Sequence, residues 1–205
     1  MAFFGWNPGT EQEIFSLDEL VQAFDISKVG KSGAKFDPNK AKWFNQQYLM
    51  AKSDEDIAID LGQELIKESI TTSVDLSAVA SQMKERVTFV KDIYPSAKYF
   101  FESPTEFDTK IVKKKWKDES AAIVGDLVSL FEDINDFNAV SLEETFKKYL
   151  EEKELGFGIP MIALRLVITG LGGGPSLFHV AEIIGKSETL KRLKENPAKI
   201  NAQKS

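Results

Sequence analysis

Apolar residues recur at helical spacing along most of this 205-residue chain, and the alternation typical of strands is rare. The predicted helices cover residues 16–24, 37–52, 53–68, 76–94, 119–134 and 142–154. Two begin with a serine that precedes a glutamate by three positions, as in a capping box (Ser16 and Ser141), and another begins at Asp37-Pro38. The few strand-like patterns lie at residues 29–36 and 98–102. The sequence therefore predicts an all-α fold of roughly ten helices in two subdomains.

The most apolar stretch, residues 159–181, contains a single ionised side chain, Arg165. Burying an unpaired guanidinium is costly, so Arg165 needs an acceptor, unless it lies at the helix edge and reaches water or a neighbouring carboxylate. This helix is predicted to end at Gly170, and a glycine-rich turn at 172–174 leads to a new helix that starts at Pro175. Arg165 and the free N–H groups of that helix start could together form a small polar recognition site.

A second arginine, Arg86, lies within the predicted helix 76–94, which should end at Pro95. On that helix Arg86 would lie about 80° from the centre of the apolar stripe, on a half-apolar face that includes Phe89 and Ile93. A guanidinium held there can form paired hydrogen bonds with the edge of a nucleic-acid base. Pairing with a carboxylate close by in the sequence, Glu85 or Asp92, is an equally good interpretation of this arginine.

Residues 108–118 form a basic segment in which five lysines, including Lys113 and Lys114, surround Trp116. A lysine cluster beside an aromatic ring can follow a nucleic-acid backbone. A solvated helix face is the commoner outcome for such a segment. Both interpretations remain open from the sequence.

Composition and charge exclude several classes of function for this chain. The net charge is −6, yet residues 161–205 carry +4, which suits a local contact to phosphate better than general nucleic-acid binding. There is no cysteine and one histidine, His179, so no metal site and no catalytic residue is predicted. No apolar run reaches the roughly 18 residues of a membrane span, and the N-terminus lacks the basic region of a secretion signal. A cytoplasmic location is therefore expected.

Four separated groups of strings resemble bacterial glutamyl-tRNA synthetases and occur in that family's order. They are G-W-N-P-G at 5–9; S-G-A-K-F-D at 32–37 with K-A-K-W-F-N-Q-Q-Y at 40–48; M-K-E-R-V-T-F-V-K-D at 83–92; and R-L-V-I-T-G, G-P-x-L, I-I-G-K-S-E and K-R-L between 165 and 193. The resemblance covers nearly the whole chain. It implies the C-terminal part of a glutamate–tRNA ligase, in which two helical subdomains form an anticodon-binding cage after a stem-contact segment.

The resemblance also implies domain limits and residue roles. A stem-contact-like segment would span 1–52, and the two anticodon-binding subdomains 53–104 and 105–205. Arg86 would address the third anticodon base, and a second group would address the middle or first base: Arg165, Thr169, Gly174, Pro175 and Leu177. Relatives can carry a residue with a side-chain hydroxyl at this position. Gly174 has no side chain, so a contact with the base would have to come from its backbone. Contacts to the tRNA stem or backbone would come from Ser32, Lys35, Lys113 and Lys114.

The same resemblance implies partners. The chain would bind glutamate tRNA and the catalytic domain of its parent protein, as a monomer that does not associate with membranes. ATP and Mg would be used by the absent catalytic domain, so this chain needs no cofactor and would be inactive alone. The alternative is a helical protein-interaction domain without RNA binding.

Overall fold

A computed structural model describes residues 5–30 and 36–204. Across these residues the chain forms ten α-helices and no β-strand: α1 Leu17–Ala23, α2 Pro38–Ala51, α3 Asp54–Lys67, α4 Leu76–Met83, α5 Ile93–Ser96, α6 Thr109–Lys115, α7 Ser120–Glu132, α8 Ala139–Glu152, α9 Gly158–Thr169 and α10 Leu177–Lys204. Short 3-10 turns lie at Ile26–Lys28, Val90–Asp92 and Lys98–Phe100. The prediction of an all-α fold is confirmed.

Local capping chemistry sets several helix starts. The Ser16 hydroxyl accepts a hydrogen bond from the Glu19 N–H, and the Glu19 carboxylate accepts one from the Ser16 N–H, so the predicted capping box is formed. The Asp37 carboxylate caps α2, whose first residue is Pro38. Ser53 caps α3 through the Asp56 N–H. These starts are predictable because each depends on residues within one turn.

Two predicted helix starts are wrong. Helix α8 begins at Ala139, three residues before the predicted start at residue 142, because the Asn138 side chain caps the helix by accepting from the Ser141 N–H. Helix α10 begins at Leu177 rather than Pro175, and the carbonyl of Ser176 accepts its first helical hydrogen bond. Helix α10 is also interrupted at Gly185, where φ is +82°.

The predicted helix 76–94 is interrupted after Met83, well before Pro95, which lies inside α5. Two amide side chains of α2 explain the break. Asn45 donates to the Thr88 carbonyl and Gln46 donates to the Lys84 carbonyl, at 3.3 Å for the second pair. A carbonyl that accepts a side-chain hydrogen bond no longer needs the N–H of the next helical turn as its partner. These long-range hydrogen bonds therefore replace those of the predicted helix.

One continuous hydrophobic core runs from Leu49 to Ile200, through both predicted subdomains. Helix α10 packs against α4 as well as α6 to α9, and so joins the two halves. The predicted inward face of α3 is confirmed except for Ile66, which is 75% exposed. Residues 98–102 form no strand, and a 3-10 turn covers Lys98–Phe100. Val29 pairs only as an isolated bridge with Trp6. The domain limit at residue 104 stays a prediction.

Candidate nucleic-acid interface

Arg165 lies on α9, half-buried between apolar neighbours. Its Nη1 is buried and has no hydrogen-bond partner among the residues that the structure describes. No carboxylate within the same residues forms an ion pair with it. A charged donor left in this state costs about 1–3 kcal/mol or more, which an incoming acceptor would recover.

Tyr99 and Gly174 lie beside this free donor. The Tyr99 side chain is 5% exposed, and its hydroxyl donates to the Met83 sulfur at 3.9 Å. A Cβ added to Gly174 would lie 3.3 Å from Arg165 Nη1 and 3.6 Å from the Tyr99 oxygen. The backbone of Gly174, at φ +148°, therefore approaches both polar groups more closely than a larger residue could.

Arg86 approaches the same place from the other half of the chain. It is exposed in the turn after α4, where its N–H donates to the Met83 carbonyl at 2.8 Å. Its charge acts on the pKa of both Tyr99 and Arg165. The two arginines, one from each predicted subdomain, are therefore close enough for their charges to interact. We call Arg86, Tyr99, Arg165 and Gly174 the corner site.

Electrostatics in the corner site favour an anionic or electron-rich ligand. Burial lowers the pKa of Arg165, the Tyr99 hydroxyl opposes this, and the nearby positive charge of Arg86 lowers the pKa further. A guanidinium nevertheless stays charged near neutral pH. Burial raises the pKa of Tyr99 to about 12, although both arginines act in the opposite direction. The site therefore presents two positive charges and one neutral phenol.

The structure corrects the predicted setting of Arg86. Because the helix ends at Met83, Arg86 lies in a turn and the predicted half-apolar helix face does not form. Ile93, expected on that face, is fully buried. Within the described ranges, neither Glu85 nor Asp92 pairs with this arginine. The interpretation as a local ion pair is therefore not supported.

Three other predicted site residues have side chains that are already occupied. The Thr169 hydroxyl donates to the Arg165 carbonyl at 2.8 Å and accepts from the Leu171 N–H at 3.1 Å. Pro175 is buried, and Leu177 belongs to the hydrophobic core. These side chains are therefore less available for contact with a ligand than the Arg165 guanidinium, and their assignment to the site stays a prediction. These residues shape the α9–α10 turn and support Gly174.

The predicted stem or backbone contacts lie apart from the corner site in sequence. Lys113 and Lys114 are exposed at the end of α6. Trp116 is buried, and its Nε1 donates to Asn201 at 2.7 Å, so it offers no stacking surface. Ser32 and Lys35 lie outside the described residues.

Sequence reasoning missed Tyr99, which lies close to the predicted limit between the two subdomains at residue 104. The available signal was the run of three aromatic residues at 99–101 in a linker-like stretch. Tyr99 and Thr169 also line an open pocket of about 410 Å³, together with Leu171 and eight other residues between Pro95 and Glu106. That volume lies within the usual range for ligand pockets.

No group of three or more His, Cys, Asp or Glu residues suited to a metal ion occurs within 5–30 and 36–204. In the same ranges, every helix is too short or too polar to span a bilayer.

The family model described as the anticodon binding domain matches residues 46–196, a range that contains the whole corner site. The chain belongs to the anticodon-binding domain family. This anticodon-binding chain is 42% identical over 196 residues to the glutamate–tRNA ligase of Christiangramia forsetii. It is 41% identical over the same length to that of Flavobacterium johnsoniae. Each match covers 95% of this chain and 39% of the relative.

Two solved structures agree with this placement. A glutamate tRNA ligase from Elizabethkingia meningosepticum, in complex with its amino acid, matches 98% of the anticodon-binding chain with a TM-score of 0.89 and 40% identity. A glutamate-tRNA synthetase from Elizabethkingia anophelis matches 95% of it, with a TM-score of 0.83 and 39% identity. The chain covers 39% and 38% of those proteins. The resemblance found from the sequence is confirmed, and the chain corresponds to a part of these relatives.

Proposed function

We propose that this chain reads the anticodon loop of a glutamate tRNA as part of a glutamate–tRNA ligase. Aminoacylation, with ATP and Mg, belongs to the catalytic domain of the parent protein, and this chain alone does not charge tRNA. We further propose that it acts in the cytoplasm and as a monomer. The support comes from the family and from the names of the relatives, which are glutamate–tRNA ligases.

The observation that carries the proposal is the free Nη1 of Arg165 in the corner site. Anticodon bases are read when they are unstacked, through hydrogen bonds to their edges. A guanidinium with an unused donor can supply such a hydrogen bond, and the missing Cβ of Gly174 leaves the approach open. Arg86, exposed across the corner, supplies the second guanidinium.

We assign the roles from the resemblance, and the geometry of the corner site supports them. Arg86 addresses the third anticodon base, and Arg165 with the Gly174 backbone addresses the middle or first base. Residues whose side chains are occupied keep this arrangement in place: Thr169, Pro175 and Leu177. Backbone contacts outside the loop come from Lys113 and Lys114, with Ser32 and Lys35 at the inner corner of the tRNA.

The direct test is titration with a glutamate tRNA transcript and an anticodon-swapped transcript at one stated salt concentration. Arg86→Ala and Arg165→Ala should each weaken cognate binding by about 1–3 kcal/mol and reduce the preference for the cognate anticodon. Lys148→Ala is a matched control, since it removes an exposed positive charge of α8, outside the corner site. Equal affinity of all variants for both transcripts would contradict the proposal.

A second candidate function, docking to a protein surface, is favoured by α1. The residues of its apolar face are largely uncovered: Leu17 is 76% and Val21 71% exposed, and Phe24 is also exposed. Such a surface suits the catalytic domain of the parent protein as a partner. The double variant Leu17→Glu, Val21→Glu should weaken binding to the catalytic domain and leave the affinity for RNA unchanged. Loss of RNA affinity in this double variant would argue that α1 belongs to the RNA interface instead.

A further inference from the structure

Arg192 is the most deeply enclosed cation in the described part of the chain, with 1% of its surface exposed. Its Nη1 donates to the carbonyl of Tyr99 at 2.7 Å and to the carbonyl of Ile168 at 2.8 Å. Its Nε donates to Glu188, one turn earlier on α10, at 2.8 Å. One guanidinium therefore connects α10, α9 and the segment that carries Tyr99.

Asn196 makes a parallel connection one turn further along α10. Its Nδ2 donates to the Val167 carbonyl at 2.9 Å and approaches the Ser103 hydroxyl at 3.5 Å. We call Arg192 and Asn196 the carbonyl clamp. Both residues reach the last turn of α9 on one side and residues 99–103 on the other.

The carbonyls held on α9 are those that a helix end leaves without an intrahelical partner. A positive charge at this end is also favourable, because the last carbonyls carry partial negative charge. The carbonyl clamp therefore stabilises the last turn of α9 and fixes its position against Tyr99. Arg165 lies one turn before Ile168 on the same helix.

We infer that Arg192 is a positioning residue for RNA recognition: it sets the separation between Tyr99 and Arg165 in the corner site without touching the RNA. The inference rests on the proposed function. Two facts support it: Arg192 binds the backbone of Tyr99 itself, and a Cβ built on Gly174 would meet both Arg165 Nη1 at 3.3 Å and the Tyr99 hydroxyl at 3.6 Å, so both groups lie beside the same glycine.

Arg192→Lys tests the inference, because lysine keeps the charge but presents a single point donor instead of a planar fork. Asn201→Ala is the matched control: it also removes a hydrogen bond of α10, but one that holds Trp116 of the α6 end rather than the corner site. Both variants are measured well below their unfolding transitions. The readout is the ratio of dissociation constants for anticodon-swapped and cognate transcripts.

The expected result is that Arg192→Lys lowers this ratio about tenfold while Asn201→Ala leaves it unchanged. A wild-type ratio in Arg192→Lys, or an equal loss in the control, overturns the inference while the proposed function stands. A wild-type protein with no anticodon preference means instead that the proposed function has failed.

A second readout needs no RNA. The NMR signal of the Arg165 side-chain N–H can be assigned by its loss in the Arg165→Ala variant. Without RNA, this signal should shift in the Arg192→Lys variant and stay unchanged in the Asn201→Ala variant. An unshifted signal in Arg192→Lys overturns the positioning role even if RNA binding cannot be detected.

Discussion

The corner site and the carbonyl clamp each place an arginine among apolar helices, yet they leave it in opposite states. Arg192 is fully buried and its guanidinium meets two carbonyls and a carboxylate. Arg165 is half-buried and keeps an Nη1 without a partner in the described residues. Burial alone therefore does not distinguish a structural arginine from one that binds a ligand. An unsatisfied donor distinguishes them, because a donor without a partner contributes nothing to the stability of the protein.

Stability should respond most strongly to this difference. Arg192→Ala leaves two buried carbonyls without donors and should lower the free energy of unfolding by about 3–5 kcal/mol. Arg165→Ala removes a donor without a partner in the described residues, so it should not lower the free energy of unfolding and should raise it by up to about 1–3 kcal/mol. Urea unfolding monitored by circular dichroism measures both. Similar losses in the two variants would remove the distinction between the corner site and the carbonyl clamp.

Gly174→Ala should have the next largest effect. The new Cβ would press on Arg165 Nη1 at 3.3 Å, and φ +148° is unfavourable for alanine. Backbone strain of this kind costs about 1–3 kcal/mol, and cognate RNA binding should weaken as well. Gly173→Ala is the matched control, because nothing lies within 4 Å of its added Cβ. If both variants behave alike in urea unfolding and RNA titration, the close approach at Gly174 is unimportant.

Tyr99→Phe should give the smallest effect, confined to alkaline pH. Burial raises the pKa of Tyr99 to about 12, from about 10 in an unfolded chain. The neutral phenol is therefore favoured in the folded state, and this stability is present below pH 10 and lost as pH rises towards 12. The phenylalanine variant lacks that term, so its free energy of unfolding should fall less steeply over this range.

Tyr149→Phe serves as a comparison for the pH series. The pKa of Tyr149 is also raised to about 12, by burial first and then by Asp126. The Tyr149→Phe variant should therefore show the same shallower fall in the free energy of unfolding at alkaline pH. Tyr149 lies on α8, outside the corner site, and its replacement should leave RNA affinity unchanged. Parallel curves for wild type and Tyr99→Phe would show that the phenol is solvated.

Local chemistry made much of the fold predictable. Ser16, Asp37 and Ser53 begin helices because their partners lie within the next turn, and Gly170 ends α9 at φ +76° as expected. The helix through Arg86 was mispredicted because Asn45 and Gln46, about 40 residues away in sequence, bind carbonyls that a helix would have used.

The candidate site was predictable only in part. The apolar surroundings of Arg165 already indicated that its charge needs an acceptor. Leu177 and Pro175 were assigned to the site by position, but sequence does not show that their side chains point into the core. Tyr99 and Arg192 are joined by a hydrogen bond between residues 93 positions apart, and only the tertiary structure brings them together.

The most direct measurement uses the three arginines of the chain, Arg86, Arg165 and Arg192. Their side-chain N–H signals can be followed by NMR while a glutamate anticodon stem-loop RNA is added. We expect the Arg86 and Arg165 signals to shift, the Arg192 signal to stay in place, and an anticodon-swapped RNA to cause smaller shifts at the same salt concentration. An Arg165 signal that does not move, or that moves equally with both RNAs, would contradict the account.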